Sequence, residues 1–275
     1  MPTSITVDRL LAGVLEDVAA REARVSFQEV KARSRDMEAP RDARAALLGQ
    51  GCCIIPEIKR AVPYTGRIAD LESPQSVAGL AHRLSGAGVQ LMACQTDRRR
   101  FLGSLEDMCA ARSAIDIPMV CRDIIVDPYQ IHEARCYGAD AVPLQVALLE
   151  QARLEALLDR IESLGMTAIL EVRNCAEADR VIKAEGSVVA INAWSVASDS
   201  MYREAFSDIA PGLPESMIRI AVGGVTSPRD VLTYASHGAD AIVVGESIMA
   251  AQDPLAMTRS LVAAGQHPAC PARKA

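Results

Sequence analysis

At 275 residues, half of them hydrophobic, the chain is long enough for one large domain or two small ones. A formal net charge of −6 and an aromatic content of 3% exclude a broad basic or base-stacking surface, so no nucleic-acid partner is expected. Eight scattered cysteines with no C-x-x-C pair and no histidine cluster exclude zinc spacing; with no signal-peptide pattern and no bilayer-length apolar run, a reduced cytoplasmic setting away from membranes is expected.

In chain order, Ser4 to about Arg33 predicts helix. Val7, Leu10, Leu11, Val14, Leu15 and Val18 recur at the three- and four-residue spacing of one helical face, and Phe27 and Val30 continue a second, shorter piece. Residues 34–50 are charged and alanine-rich, a connecting or capping segment. The expected organisation is one domain over 1–275 with residues 1–50 as an N-terminal helical extension.

From Cys53 one unit repeats: an apolar run, a turn, a helical stretch and a glycine turn. The runs are 53–58, 89–94, 118–120, 141–146, 168–172, 188–191, 218–222 and 241–244. Helical stretches at 74–85, 105–114, 128–137, 151–164, 176–183, 228–237 and 254–264 lie between and after them. Several begin at Ser-Pro or Asp-Pro and end near glycine. Such alternation implies right-handed crossovers and a parallel sheet. Eight units in this length predict an α/β fold of the closed (β/α)8 TIM-barrel type. An open doubly wound sheet is the alternative, weakened because no glycine-rich dinucleotide fingerprint follows the first run.

In a barrel, function gathers at the C-terminal ends of the strands. The first run closes on Glu57 and Lys59, two residues apart and so on one face of a strand. A Pro-x-x-Gly turn, Pro63 to Gly66, follows. The second run leads into Asp97, Arg98, Arg99, Arg100 and Phe101; the arginine run reads as a solvated face. The third ends at Arg122 and Asp123, the fourth carries Gln145, the fifth ends at Glu171 and Arg173, and the sixth at Asn192 and Trp194. Glu57, Lys59, Arg122 and Glu171 meeting at one mouth would shift one another's proton affinities, as a general acid–base set requires. A ring of structural ion pairs is the other reading. Trp194 and Phe101 either face a planar ligand or cap the barrel. Gly223 and Gly224 after the seventh run, and Gly245, Glu246 and Ser247 after the eighth, stand where barrels commonly hold phosphate on backbone N–H groups.

These residues resemble the indole-3-glycerol phosphate synthase family. The resemblance covers nearly the whole chain, through E-I-K-R with P-x-x-G at 57–66, R-R-F-x-G-S-L at 99–105, D-P-Y-Q-I-H-E-A-R at 127–135, E-S-L-G-M-T-A at 162–168 and G-A-D-A-I-V-V-G-E-S at 238–247. It implies a lyase of tryptophan biosynthesis. Such an enzyme closes an indole ring from a carboxyphenylamino-deoxyribulose phosphate by condensation, decarboxylation and dehydration, with no cofactor and no metal. It implies an anionic, phosphorylated small-molecule substrate and a monomer or homodimer. By position, Glu57, Lys59, Glu171 and Asn192 match the family's acid–base residues, Gly224 and Gly245 its phosphate turns, and Phe101 an aromatic lining the substrate site.

Departures gather at the strand ends. Arg122 stands where the family has a proton-donating lysine; a guanidinium holds an anion but is a poor donor near neutrality. Val62 replaces a serine, Ile124 a phenylalanine, and Trp194 stands near a family arginine. Ala221–Val222–Gly223–Gly224 replaces A-E-S-G, and Gln145 brings polarity to an aliphatic position. The expectation is therefore a lyase in which Lys59 takes over as general acid, Glu57 and Glu171 move protons, and Arg122 holds an oxyanion or carboxylate. A paralogue of specialised metabolism acting on a related substrate, and a non-catalytic ligand-binding protein, are the alternatives.

Overall fold

The computed structural model describes residues 6–63, 65–195 and 200–270. The N-terminal helix expected over 4–33 is two helices. Helix α1 (Val7–Glu22) is capped by Thr6, and α2 (Phe27–Arg35) by Ser26, whose backbone is extended and whose hydroxyl accepts from the Glu29 N–H. Ser4 lies outside the described residues. The segment expected as a connector holds α3 (Ala43–Leu47), begun by the Asp42 carboxylate. Its Ala43 and Leu47 pack with Ala141, Val188, Ile218 and Ala241 from the first residues of four strands. Helix α3 therefore plugs the end at which those strands begin.

Next come β1 (Cys53–Ile58), the hairpin β2 (Ala61–Val62) and β3 (Gly66–Arg67), α4 (Pro74–Ser85), β4 (Met92–Gln95), α5 (Leu105–Ser113), β5 (Met119–Arg122), α6 (Pro128–Cys136), β6 (Ala141–Gln145), α7 (Gln151–Ser163), β7 (Thr167–Val172) and α8 (Cys175–Lys183). The chain continues through β8 (Val188–Asn192), the hairpin β9 (Trp194–Ser195) and β10 (Ser200–Met201), α9 (Ala205–Ile209), β11 (Ile218–Val222), α10 (Pro228–Ser236), β12 (Ala241–Val244), α11 (Glu246–Met249) and α12 (Pro254–Gly265). Eight parallel strands close in the order β1-β12-β11-β8-β7-β6-β5-β4, so the (β/α)8 barrel is the fold. The two hairpins, α9 and α11 were not expected. The turn at Pro63 includes Tyr64, which is outside the described residues; on its flanks Val62 pairs with Gly66.

Alternation along the strands builds two layers. Ile55, Ala93, Val120, Ile169, Ala190, Ile220 and Val243 fill the barrel interior. Their neighbours Ile54, Cys94, Cys121, Leu170, Ile191 and Ile242 pack outward under the helices. Cys94 and Cys121 stand opposite one another in register, and burial pushes both thiols up, so they are packing residues rather than nucleophiles. Among the described residues no helix is long and apolar enough to cross a membrane.

Candidate active site

The two-residue period that fills the interior also aims the polar residues. Glu57 continues the inward face of Ile55, Arg122 that of Val120, Glu171 that of Ile169, and Asn192 that of Ala190. Gln145 is the register partner of Glu171. The five residues therefore crown the interior at its C-terminal end.

They form one connected network. Glu57 is ion-paired through Oε2 with Lys59. Its Oε1 accepts from Arg122 Nε at 2.9 Å and from Gln95 Nε2 at 3.0 Å. Arg122 then reaches across the mouth, where Nη1 donates to Glu171 Oε2 at 3.0 Å. Asn192 Nδ2 donates to Glu171 Oε1 at 2.8 Å, while its own Oδ1 accepts the Trp194 N–H at 2.9 Å. Arg173 lies 3.7 Å from Glu171 Oε1. The Lys59 ammonium sits 5.5 Å from the centre of the Phe101 ring, a cation–π approach that brings Phe101 to the mouth.

Three cations thus face two carboxylates, leaving the mouth positive within an acidic protein. Burial alone would raise the Glu57 carboxyl, but Lys59 and Arg122 outweigh it and hold the group at about 2. The same contest, won by Arg122 and Arg173, lowers Glu171. Burial opposes the Arg122 charge, yet Glu171 and Glu57 raise its proton affinity. Both glutamates are anions at neutral pH and Arg122 keeps its proton.

The turns after β11 and β12 lie beside this network. Gly223 and Gly224 take φ of 91° and 76°, left-handed geometry that favours glycine. Tyr234 donates to the Gly223 carbonyl at 3.0 Å, and Ser247 Oγ to the Val225 carbonyl at 2.6 Å, tying the two turns together. With the Ser247 hydroxyl engaged and the Glu246 side chain exposed, these residues offer an anion their backbone N–H groups. Pro56 pairs with Val244, which sets Gly245 next to Glu57. A β-carbon on Gly245 would lie 2.3 Å from Lys59 Cε and 2.6 Å from Glu57 Oε2. A larger residue there would displace the ends of the Lys59 and Glu57 side chains.

The structure therefore brings Glu57, Lys59, Arg122, Glu171, Asn192, Gln145 and Phe101 to one mouth, with the two glycine turns on its rim. Trp194 is half-buried on the β9–β10 hairpin next to Asn192. Gln95 was missed, although it lies two residues after inward Ala93 and alternation could have found it. Arg173 was noted at its strand end but not as a site residue. The run Arg98, Arg99 and Arg100 is paired with Glu106, Asp17 and Asp97.

A closed parallel barrel with buried acids and cations at the carboxyl ends of its strands is a (β/α)8 barrel with a candidate acid–base site. Solved structures agree at the level of fold. A 3-hexulose-6-phosphate synthase from Salmonella typhimurium superposes with a TM-score of 0.63 over 78% of this chain and all of its own, at 13% identity; another of the same name gives 0.60 over 76% and 99%, at 16%. The family assignment comes from sequence. The family profile of indole-3-glycerol phosphate synthase matches residues 7–261. Proteins of that name from Mycobacterium sp. (strain KMS) and Mycobacterium leprae (strain TN) are 47% identical over 271 residues, 98% of each chain. One from Saccharopolyspora erythraea is 46% identical over 265 residues, 96% of this chain and 97% of its own. The chain belongs to the indole-3-glycerol phosphate synthase family.

Proposed function

We propose that this protein closes the indole ring of a carboxyphenylamino-deoxyribulose phosphate, releasing carbon dioxide and water, as a carboxy-lyase of the tryptophan pathway. Family membership across the whole chain supports the reaction, and neither alternative gains support from any relative found. The observation that carries the site is the Lys59 ammonium, fixed between Glu57, Phe101 and Gly245 at the barrel mouth.

The aryl carbon bearing the carboxylate bonds to the ketone carbon while the ketone oxygen takes a proton. Arg122 does not give that proton, since both carboxylates hold it protonated. Lys59 is the donor that remains, because an ammonium has three rotatable protons and Glu57 takes one. Glu57 was expected to move protons. Its three donors and its value of about 2 give it the task of holding Lys59 instead. Loss of carbon dioxide returns its bonding pair to the ring. The new hydroxyl then takes a second proton from Lys59, recharged from solvent, and leaves as water, while Glu171, an anion oriented by Asn192 and Arg122, accepts a proton from the substrate in that step. Arg122 spends Nε and Nη1 on the two glutamates, and Nη2 has no side-chain partner among the described residues. That nitrogen holds the substrate carboxylate. The phosphate sits on the N–H groups of Gly223–Gly224 and Gly245–Ser247.

The purified protein should convert this substrate to indoleglycerol phosphate, seen by indole fluorescence. Lys59→Met should lower kcat by roughly 10²-fold or more while leaving the fold intact by circular dichroism. An active Lys59→Met enzyme removes Lys59 from the proton-transfer step.

A further inference from the structure

The mouth contains a buried acceptor that the network does not use. Gln145 ends β6, is 7% exposed and faces the same way as Glu171, its register partner. Its Nε2 donates to the Asp123 carbonyl at 3.2 Å. Its Oε1 is buried with no partner among the described residues. The orientation is fixed by chemistry. Turning the amide over would set Oε1 against the Asp123 carbonyl, acceptor against acceptor, so the oxygen is the end left free.

A buried amide oxygen with no donor carries a desolvation cost that most folds avoid. The aliphatic residue usual in the family at this position has no such cost. The cations near the mouth do not relieve it: Arg122 directs Nε and Nη1 to Glu57 and Glu171, and Arg173, whose buried Nε also has no partner among the described residues, makes no hydrogen bond to Gln145.

We infer that Gln145 is a substrate-reading residue, its Oε1 accepting a hydrogen bond from a single donor on the bound aryl-amino sugar phosphate. The inference rests on the proposed reaction and adds to it a contact that an aliphatic side chain cannot make. Three donors on the substrate carry the required chemistry, the N–H joining ring to sugar and the two sugar hydroxyls. The contact serves binding in ground and transition states alike. It therefore acts on KM and leaves kcat alone.

The test is steady-state kinetics of wild type and Gln145→Leu, with thermal melting of both. The substrate is used as such, with its nitrogen methylated, and with each of its two sugar hydroxyls removed in turn. Gln145→Leu should raise KM about tenfold with kcat within about twofold, the loss expected of one buried hydrogen bond. Its melting temperature should stay level or rise, because an unsatisfied buried amide has been removed. One analogue should bind wild type about tenfold less well than the parent and bind Gln145→Leu no worse than the parent, which identifies the donor. Conversion by wild type with KM unmoved in Gln145→Leu overturns this inference alone. A raised KM with a lowered melting temperature, equal for all four compounds, assigns Gln145 a structural role and also overturns it. Failure of wild type to convert the parent substrate removes the proposed function and this inference with it.

Discussion

Glu57 illustrates how one side chain ties function to stability. Its carboxyl is held at about 2 in the fold, against about 4.3 in an unfolded chain. A carboxylate depressed on folding stabilises above its unfolded value, and that contribution is lost as pH falls through the folded one. Its share of stability should therefore disappear between about pH 4.3 and 2. Urea unfolding across that window should show wild type losing stability that Glu57→Gln does not lose. At pH 7 the variant should be less stable by about 3 kcal/mol, because Lys59 and Arg122 are left facing one anion fewer. The closeness of Glu57 and Lys59 was legible in the sequence, since a two-residue spacing at a strand end sets both side chains on one face. The engagement of Arg122 with both glutamates was not. Nothing at positions 57, 122 and 171 states that one guanidinium spans the gap; that depends on barrel diameter and side-chain length.

Elements show a different boundary between what sequence reveals and what it hides. The apolar runs stop at Cys94, Val120 and Ile191, whereas the ladders continue through Gln95, Arg122 and Asn192. Apolarity ends where the work of the site begins, so a strand judged by hydrophobicity ends one or two residues short of its most useful side chain. Helices α9 and α11 are too short to show a period. The junction of α2 and α6 carries an acid-sensitive contact. His132 is 1% exposed and donates from Nδ1 to Ser34 Oγ at 2.7 Å, since that hydroxyl itself donates to the Lys31 carbonyl. Burial lowers its value to about 4, with Arg160, Lys31 and Arg35 adding to the effect. The ring is neutral in the fold and charges more readily unfolded, so the fold should lose stability as pH falls from about 6.5 to 4. Stability curves of wild type and His132→Gln should diverge at neutral pH and converge across that interval. Parallel curves would exclude His132 as the source.

At the scale of the molecule, eight alternating units were enough to foresee closure, because a parallel sheet of that count rolls up. The plug at the opposite end was not foreseen. Leu47 lies in a charged, alanine-rich stretch that reads as a connector, and only the closed interior gives it something to fill. It is 1% exposed. Leu47→Ala should cost about 2–5 kcal/mol in chemical unfolding while leaving KM unchanged, since the strand beginnings are remote from the mouth. A loss under about 1 kcal/mol would mean that the end is filled by something other than α3.

The absent side chain of Gly245 carries a consequence for how this protein can change. The first strand and the last meet along a seam, and both claim the same small volume there: the stem of Lys59 fills the space that any larger residue at 245 would need. Substitutions at the two positions are therefore not independent. A lineage that exchanged the lysine for something shorter would open room for alanine across the seam, and once alanine settled there a returning lysine would have to take a different path past it, away from its present place beside Glu57.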